Sequence, residues 1–153
     1  MVVGIHRNAK AVIDLDAIKH NIEIEKKRMR DDQKLFAVVK ANAYGHGMIE
    51  VARTAKEAGA NGFCVAIIDE GIELRNAGFD DLVLILGVCP AEQSNVIAAN
   101  DLSVAVGDLD FLENAKPLLK AQGLKLKVHL ALIPGWEESD SSMEKKFMKQ
   151  KHS

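Results

Sequence analysis

The run Lys34-Leu35-Phe36-Ala37-Val38-Val39 leads into Lys40-Ala41-Asn42-Ala43-Tyr44-Gly45-His46-Gly47, then into the periodic segment 48–58 and Gly59. An apolar run too short for a helix, a glycine-bearing loop, apolar residues at helical spacing and a terminal glycine spell strand, loop, helix and cap. The unit recurs toward the C-terminus. Residues 62–67 form the next apolar run, and residues 69–77 a helix opened by acids, as the helix dipole favours, and closed by Gly78. Residues 82–87 lead into a helix started by Pro90 and Glu92. Residues 102–106 lead into one running from near Asp108 to about Gln122, and residues 125–132 are a fifth strand.

Strands that read as continuous apolar runs are expected to be buried on both faces, as in a parallel sheet covered by crossover helices. The predicted class is therefore α/β. Ahead of the repeated units, residues 11–15 read as a further strand, followed by a helix starting at Asp16, with Asp16 as its cap and Ile18 and Ile22 on one face.

Composition narrows the function. The chain has 153 residues, with 20 basic against 22 acidic side chains and a formal net charge of -2. That balance leaves no basic footprint for phosphate contacts, so nucleic acid is not an expected partner. The longest apolar run, residues 82–89, falls far short of the roughly 18 to 20 residues that cross a bilayer. No hydrophobic stretch follows a basic start, so a secretory signal is not expected and the cytoplasm is the predicted compartment. Cys64 and Cys89 each sit in apolar runs and read as buried free thiols, with no metal site and no disulfide framework.

The chemistry-bearing feature is Lys40, one lysine at the end of a buried apolar run. Apolar surroundings disfavour an ammonium, and a neutral amine condenses with an aldehyde to a Schiff base. Gly45 and Gly47 would let backbone approach a ligand and free N–H groups for an anion such as a phosphate. An aldehyde cofactor with a phosphate handle would suit such a site. A lysine whose stem packs on the strand while its head reaches solvent accounts for the same residues. His46 reads best as a loop-fixing hydrogen bond and His129 as a core or barrel-interior residue. Glu70 and Arg75 read as a helix ion pair or as contacts at the sheet rim.

Residues 38–47, Val38-Val39-Lys40-Ala41-Asn42-Ala43-Tyr44-Gly45-His46-Gly47, resemble the pyridoxal 5'-phosphate (PLP) lysine motif of the alanine racemase family. Residues 11–21 are similar to that family's N-terminal strand and first helix, residues 64–75 to its A-x-x-x-E-G-x-x-L-R segment, and Leu84-Ile85-Leu86-Gly87 to its third barrel strand. The resemblance covers about residues 10 to 132. It implies part of a (β/α)8 TIM-type barrel of the fold type III PLP enzymes, about its first five β/α units. The implied activity is PLP-dependent interconversion of L- and D-alanine for peptidoglycan synthesis. By the same resemblance Lys40 holds PLP as a Schiff base and serves the D-alanine face, Tyr44 bonds the cofactor phosphate, and Leu86 lies near the pyridine ring. Family members act as homodimers, with a tyrosine from the partner's β-rich second domain as the other base.

After residues 128–132 the family continues Asp-Thr-Gly-Met-Gly-Arg-Ile-Gly, where this chain has Ile133-Pro134-Gly135-Trp136-Glu137-Glu138-Ser139. Written as GAT ACC GGG ATG GGA AGA ATC GGN and read without its first base, the family text becomes that of residues 133–139. Residues 133–153 are thus expected to be a frameshifted, non-homologous, disordered tail. On this reading the chain lacks the family arginine and the second base. It is expected to be inactive as a racemase and poorly soluble, unless copies pair through their open edges. The alternative function is a single-barrel PLP-binding module without turnover.

Overall fold

The computed structural model describes residues 10–131. The first helix, α1, spans Leu15–Arg28, and its N-cap is Asp14, whose carboxylate accepts the Ala17 N–H at 3.0 Å. The strand expected at 11–15 is not formed and the cap is not Asp16. An Asp just outside the first turn satisfies an orphan amide there, whereas Val12, 78% exposed, has no sheet neighbour to make a strand worthwhile.

Five strands follow, β1 (Phe36–Val38), β2 (Gly62–Val65), β3 (Leu82–Ile85), β4 (Ser103–Val106) and β5 (Lys127–Leu130), parallel and adjacent in chain order. Between them lie α2 (Lys40–Tyr44), α3 (Met48–Glu57), α4 (Ile68–Asn76), a 3-10 turn at Ala91–Gln93 with α5 (Ser94–Ala99), and α6 (Leu109–Gln122). Consecutive parallel strands with a helix in each crossover are the repeating unit of a (β/α) barrel, and five such strands form part of one.

The sheet is covered on one face. Phe63, Val65, Val83, Ile85, Val104 and Val106 are buried against Ala52, Ala55, Leu74, Ile97 and Leu102 of the helices and their connections. Burying a side chain of this size contributes about 1.5–3 kcal/mol. Phe63 and Phe79 meet edge to face, centroids 5.1 Å apart.

The expectation that the strands are buried on both faces holds for β2 and, apart from Ala105, for β4, while β3 alternates and β5 is exposed throughout. An eight-stranded barrel fills its interior with side chains from all its strands. Five strands leave that interior face uncovered among the described residues, and we call it the open face. The expected tail at 133–153 lies outside the described residues.

At the amino ends of the strands, Arg75 of α4 holds two connections together, the one leading into β3 and the one leading into β4. Its guanidinium donates to the carbonyls of Phe79 and Asp81 at 2.8 Å, of Asn100 at 3.1 Å and of Asp101 at 2.8 Å. Nearby, Lys56 pairs with Asp80 at 2.9 Å and with Asp81 at 2.7 Å. Cys64 and Cys89 are buried free thiols, as expected, and burial pushes both up from the usual thiol range.

Candidate active site at the carboxyl ends of the strands

Strand register aligns Val38, Cys64, Leu84, Ser103 and Lys127 across the sheet. Two residues on, the ladder continues past the strand ends. Val39 N–H donates to Cys64 O at 2.9 Å, Leu86 N–H to Val65 O at 2.8 Å and Gly87 N–H to Ala66 O at 3.2 Å. Lys40 therefore stands at the level of Ala66 and Leu86, and the paired Ala105 and His129 extend that level to β5. Lys40 is half-buried and Leu86 is 42% exposed. Ile85 beside it is fully buried against the helices, so alternation turns Leu86 to the open face.

Val39, with ψ 13°, is fully buried and ends the strand. After Lys40, the four residues Ala41, Asn42, Ala43 and Tyr44 have φ between 50 and 55° and make α2 a left-handed turn with no glycine in it. Each L-residue in that conformation costs roughly 1–2 kcal/mol, so the turn persists only where its surroundings over-determine it.

Its ties are specific. Ala43 N–H donates to Val39 O at 2.8 Å, and Asn42 Oδ1 accepts the Met48 N–H at 2.8 Å, capping α3. His46 Nδ1 lies 2.8 Å from Ala43 O, which makes Nδ1 the protonated nitrogen, since a carbonyl only accepts. The loop-fixing reading of His46 is correct.

The expected freedom of the glycine amides is not found. Gly45 N–H is spent on Ala41 O and Asn42 O, both at 3.1 Å, and Gly47 N–H on Asn42 O at 3.0 Å. These glycines are present for their backbone, with φ of 90 and 94°, which closes the left-handed turn and opens α3. The side chain left on the rim is Tyr44, one turn from Lys40 and 61% exposed.

Sequence reasoning missed Asn42 as a cap, and of its two readings of Glu70 the rim contact holds and the ion pair with Arg75 does not. Glu70 Oε1 accepts the Ala41 N–H at 2.6 Å, while Oε2 accepts Ala66 N–H at 2.7 Å and Ile67 N–H at 3.3 Å. Glu70 and Arg75 do not meet as an ion pair. They lie at opposite rims of the sheet, each on backbone groups. A glutamate three residues past an N-cap is a recognisable signal, but Ile67 at the cap lacks the hydroxyl that completes the usual motif. Among the described residues no group of histidine, cysteine and carboxylate side chains is arranged to hold a metal ion. No helix there is long and apolar enough to cross a membrane.

Residues 13–138 match the family described as the alanine racemase N-terminal domain. The alanine racemase of Ligilactobacillus salivarius is 62% identical over 135 residues, covering 88% of this chain and 36% of that protein. The crystal structure of alanine racemase from E. faecalis superimposes with a TM-score of 0.85 at 41% identity, over 98% of this chain and 42% of that one. A histidine racemase from Leuconostoc mesenteroides subsp. sake gives 0.70 at 31% identity, over 74% of this chain and 30% of that one. The chain thus spans little more than a third of the curated relative it matches. The family match covers the strands, the left-handed turn and the Glu70 bridge alike, and on it this chain belongs to the alanine racemase family through that family's N-terminal domain.

Proposed function

We propose that this chain is the cofactor-holding part of a PLP-dependent racemase that interconverts L- and D-alanine, the D-isomer serving peptidoglycan. The observation that carries the reading is the placement of Lys40. It is a half-buried amine at the carboxyl end of β1, level with Leu86 and one left-handed turn from the exposed Tyr44. The residues fit the cofactor by kind: an amine for an aldehyde, a phenol hydroxyl for a phosphate oxygen, and an apolar side chain for a pyridine ring. When bound, PLP supplies an electron-withdrawing ring that lets the substrate Cα lose its proton.

The chain's own residues then divide the work. Lys40 Nζ would hold the cofactor aldehyde and, once freed by the substrate amine, would serve as the base for the Cα proton on the D-alanine face. The Tyr44 hydroxyl would donate to the phosphate, and Leu86 would pack against the ring. Inverting a centre needs a second base on the other face. In the family reading a partner subunit's second domain provides it, so the working enzyme is a homodimer of longer chains.

Alanine as substrate rests on the 62% identity to the L. salivarius enzyme. Incubation with PLP, borohydride reduction and peptide mapping tests the cofactor site. The label is expected on Lys40 and lost in Lys40→Ala; a label only on other lysines overturns the assignment. The activity is tested by adding the remaining part of the L. salivarius racemase as a separate polypeptide. D-alanine should form with the pair and not with the 153-residue chain alone. Failure of the pair, where the same division of the L. salivarius enzyme succeeds, would refute it.

A further inference from the structure

We infer that Glu70 is a positioning residue for Lys40, acting through the left-handed turn that follows it; the inference rests on the reading of Lys40 as the cofactor lysine. The amide of Ala41, the residue after Lys40, is the first N–H of that turn. It points away from the turn's own carbonyls to Glu70 Oε1 at 2.6 Å. The other hydrogen bonds of residues 41–46 stay within 39–48. Among the described hydrogen bonds, Glu70 is thus the turn's tie to the rest of the sheet beyond the strand ladder.

The other carboxylate oxygen accepts Ala66 N–H at 2.7 Å and Ile67 N–H at 3.3 Å, where β2 passes into α4. One carboxylate therefore clamps the end of β1 to the end of β2, at the level where Lys40, Ala66 and Leu86 align. Its charge sits in the first turn of α4, where the helix dipole favours it, and charge-assisted bonds to amides are the stronger kind. A strained turn held from outside at its first amide fixes where the preceding side chain starts, and Lys40 is that side chain.

A neutral amide cannot do the same. Glutamine has one acceptor oxygen and an NH2 group, so it can serve Ala41 or Ala66 and Ile67, but presents N–H to N–H on the remaining side. Aspartate is one methylene shorter and cannot span the two strand ends.

The first measurement needs no substitution. By NMR amide exchange on the 153-residue chain, Ala41 N–H should exchange about a hundredfold or more slower than a free peptide amide. Exchange at the free rate overturns the clamp. In Glu70→Gln, exchange should quicken at Ala41 or at Ala66 and Ile67, while amides of β3 and β4 keep their protection. PLP–borohydride labelling of Lys40 should fall about tenfold, because a small misplacement of a reacting group is costly. Glu73→Gln, one turn along the same helix, should change neither. Unchanged labelling and exchange in Glu70→Gln refute the inference. If Lys40 takes no label in the unsubstituted chain, the cofactor reading fails and the Ala41 exchange rate alone decides whether Glu70 holds the turn.

Discussion

Gly87 approaches Ala66 so closely that its N–H donates to Ala66 O at 3.2 Å, and a Cβ on Gly87 would lie 2.3 Å from that oxygen. The obstacle is backbone on the neighbouring strand end and has no rotamer to escape into. Gly87→Ala must therefore part the ends of β2 and β3, lose the hydrogen bond and move Leu86. We expect a destabilisation of about 1–3 kcal/mol in urea unfolding, the usual cost of overpacking a tight contact. We also expect slower PLP labelling of Lys40, as the surface beside it shifts. An unchanged urea midpoint would show that the strand ends separate freely.

Arg75 places one guanidinium on four backbone carbonyls drawn from two connections at the amino rim. Arg75→Met keeps much of the stem's packing and removes every donor. The carbonyls of Phe79 and Asp81 then lose a partner that water replaces poorly in a half-buried position. A loss of about 1.5–3 kcal/mol is expected, since bonds from a charged donor are at the strong end. Lys40 labelling should survive in the folded fraction, because this rim is opposite the strand ends that carry it. Denaturation and labelling on one sample check both, and a neutral effect on unfolding would contradict the clamp.

Much of this fold was legible in the sequence because β/α units announce themselves. Each apolar run was too short for a helix, and α3 and α4 ended near Gly59 and Gly78, so the five strands were found within a few residues. Strand burial was misjudged because an apolar run does not reveal whether a second layer covers it, and because β5, Lys127-Val128-His129-Leu130, alternates polar with apolar residues and lies exposed. The strand expected at residues 11–15 failed because apolar residues alone do not supply a neighbour to pair with. At the site, Lys40 was found by its placement and by the family motif, and the hydrogen bond of His46 by its loop. The left-handed turn was hidden, since Ala41 and Ala43 carry no sign of a positive φ; what imposes it is the set of bonds around it. Glu70 was seen as a rim residue but its partners were invisible, because two of its three acceptor bonds go to backbone four residues or fewer away and the third crosses to another strand.

The exposed pair of Lys56 with Asp80 carries a pH dependence of definite sign. The hydrogen bond from Lys56 lowers the Asp80 carboxyl below its ordinary 3.8, and the bonds to Asp81 and Asp80 raise Lys56 above its ordinary 10.5. A depressed carboxyl contributes stability that is present above 3.8 and lost as pH falls through its folded value. A raised lysine contributes stability that is present below 10.5 and lost as pH rises through its folded value. Lys56→Gln should lower the melting temperature slightly at pH 7, a small effect because exposed pairs are screened. The gap to the unsubstituted chain should narrow as pH falls below 3.8 and close only once it has passed through the lowered folded value of Asp80. A gap that stays constant into strong acid would assign the effect to packing of the lysine stem.

β5 is where the described sheet is most vulnerable. Its four residues are all exposed, with Val128 at 37% and Leu130 at 46% on the helix-facing side, while Lys127 and His129 alternate to the open face. One side of the strand pairs with β4, so the backbone groups of the other form an edge of the sheet among the described residues. An exposed apolar edge strand is a template for pairing with a second chain. The 153-residue chain is therefore expected to self-associate with rising concentration in sedimentation velocity. Leu130→Lys should reduce that association, because a lysine on an edge opposes strand addition through charge and desolvation. Leu118, 39% exposed on α6, offers a control. If pairing runs through β5, Leu118→Lys should leave association unchanged. If Leu118→Lys disperses the chain and Leu130→Lys does not, association runs through the helical layer and the edge of β5 is already protected.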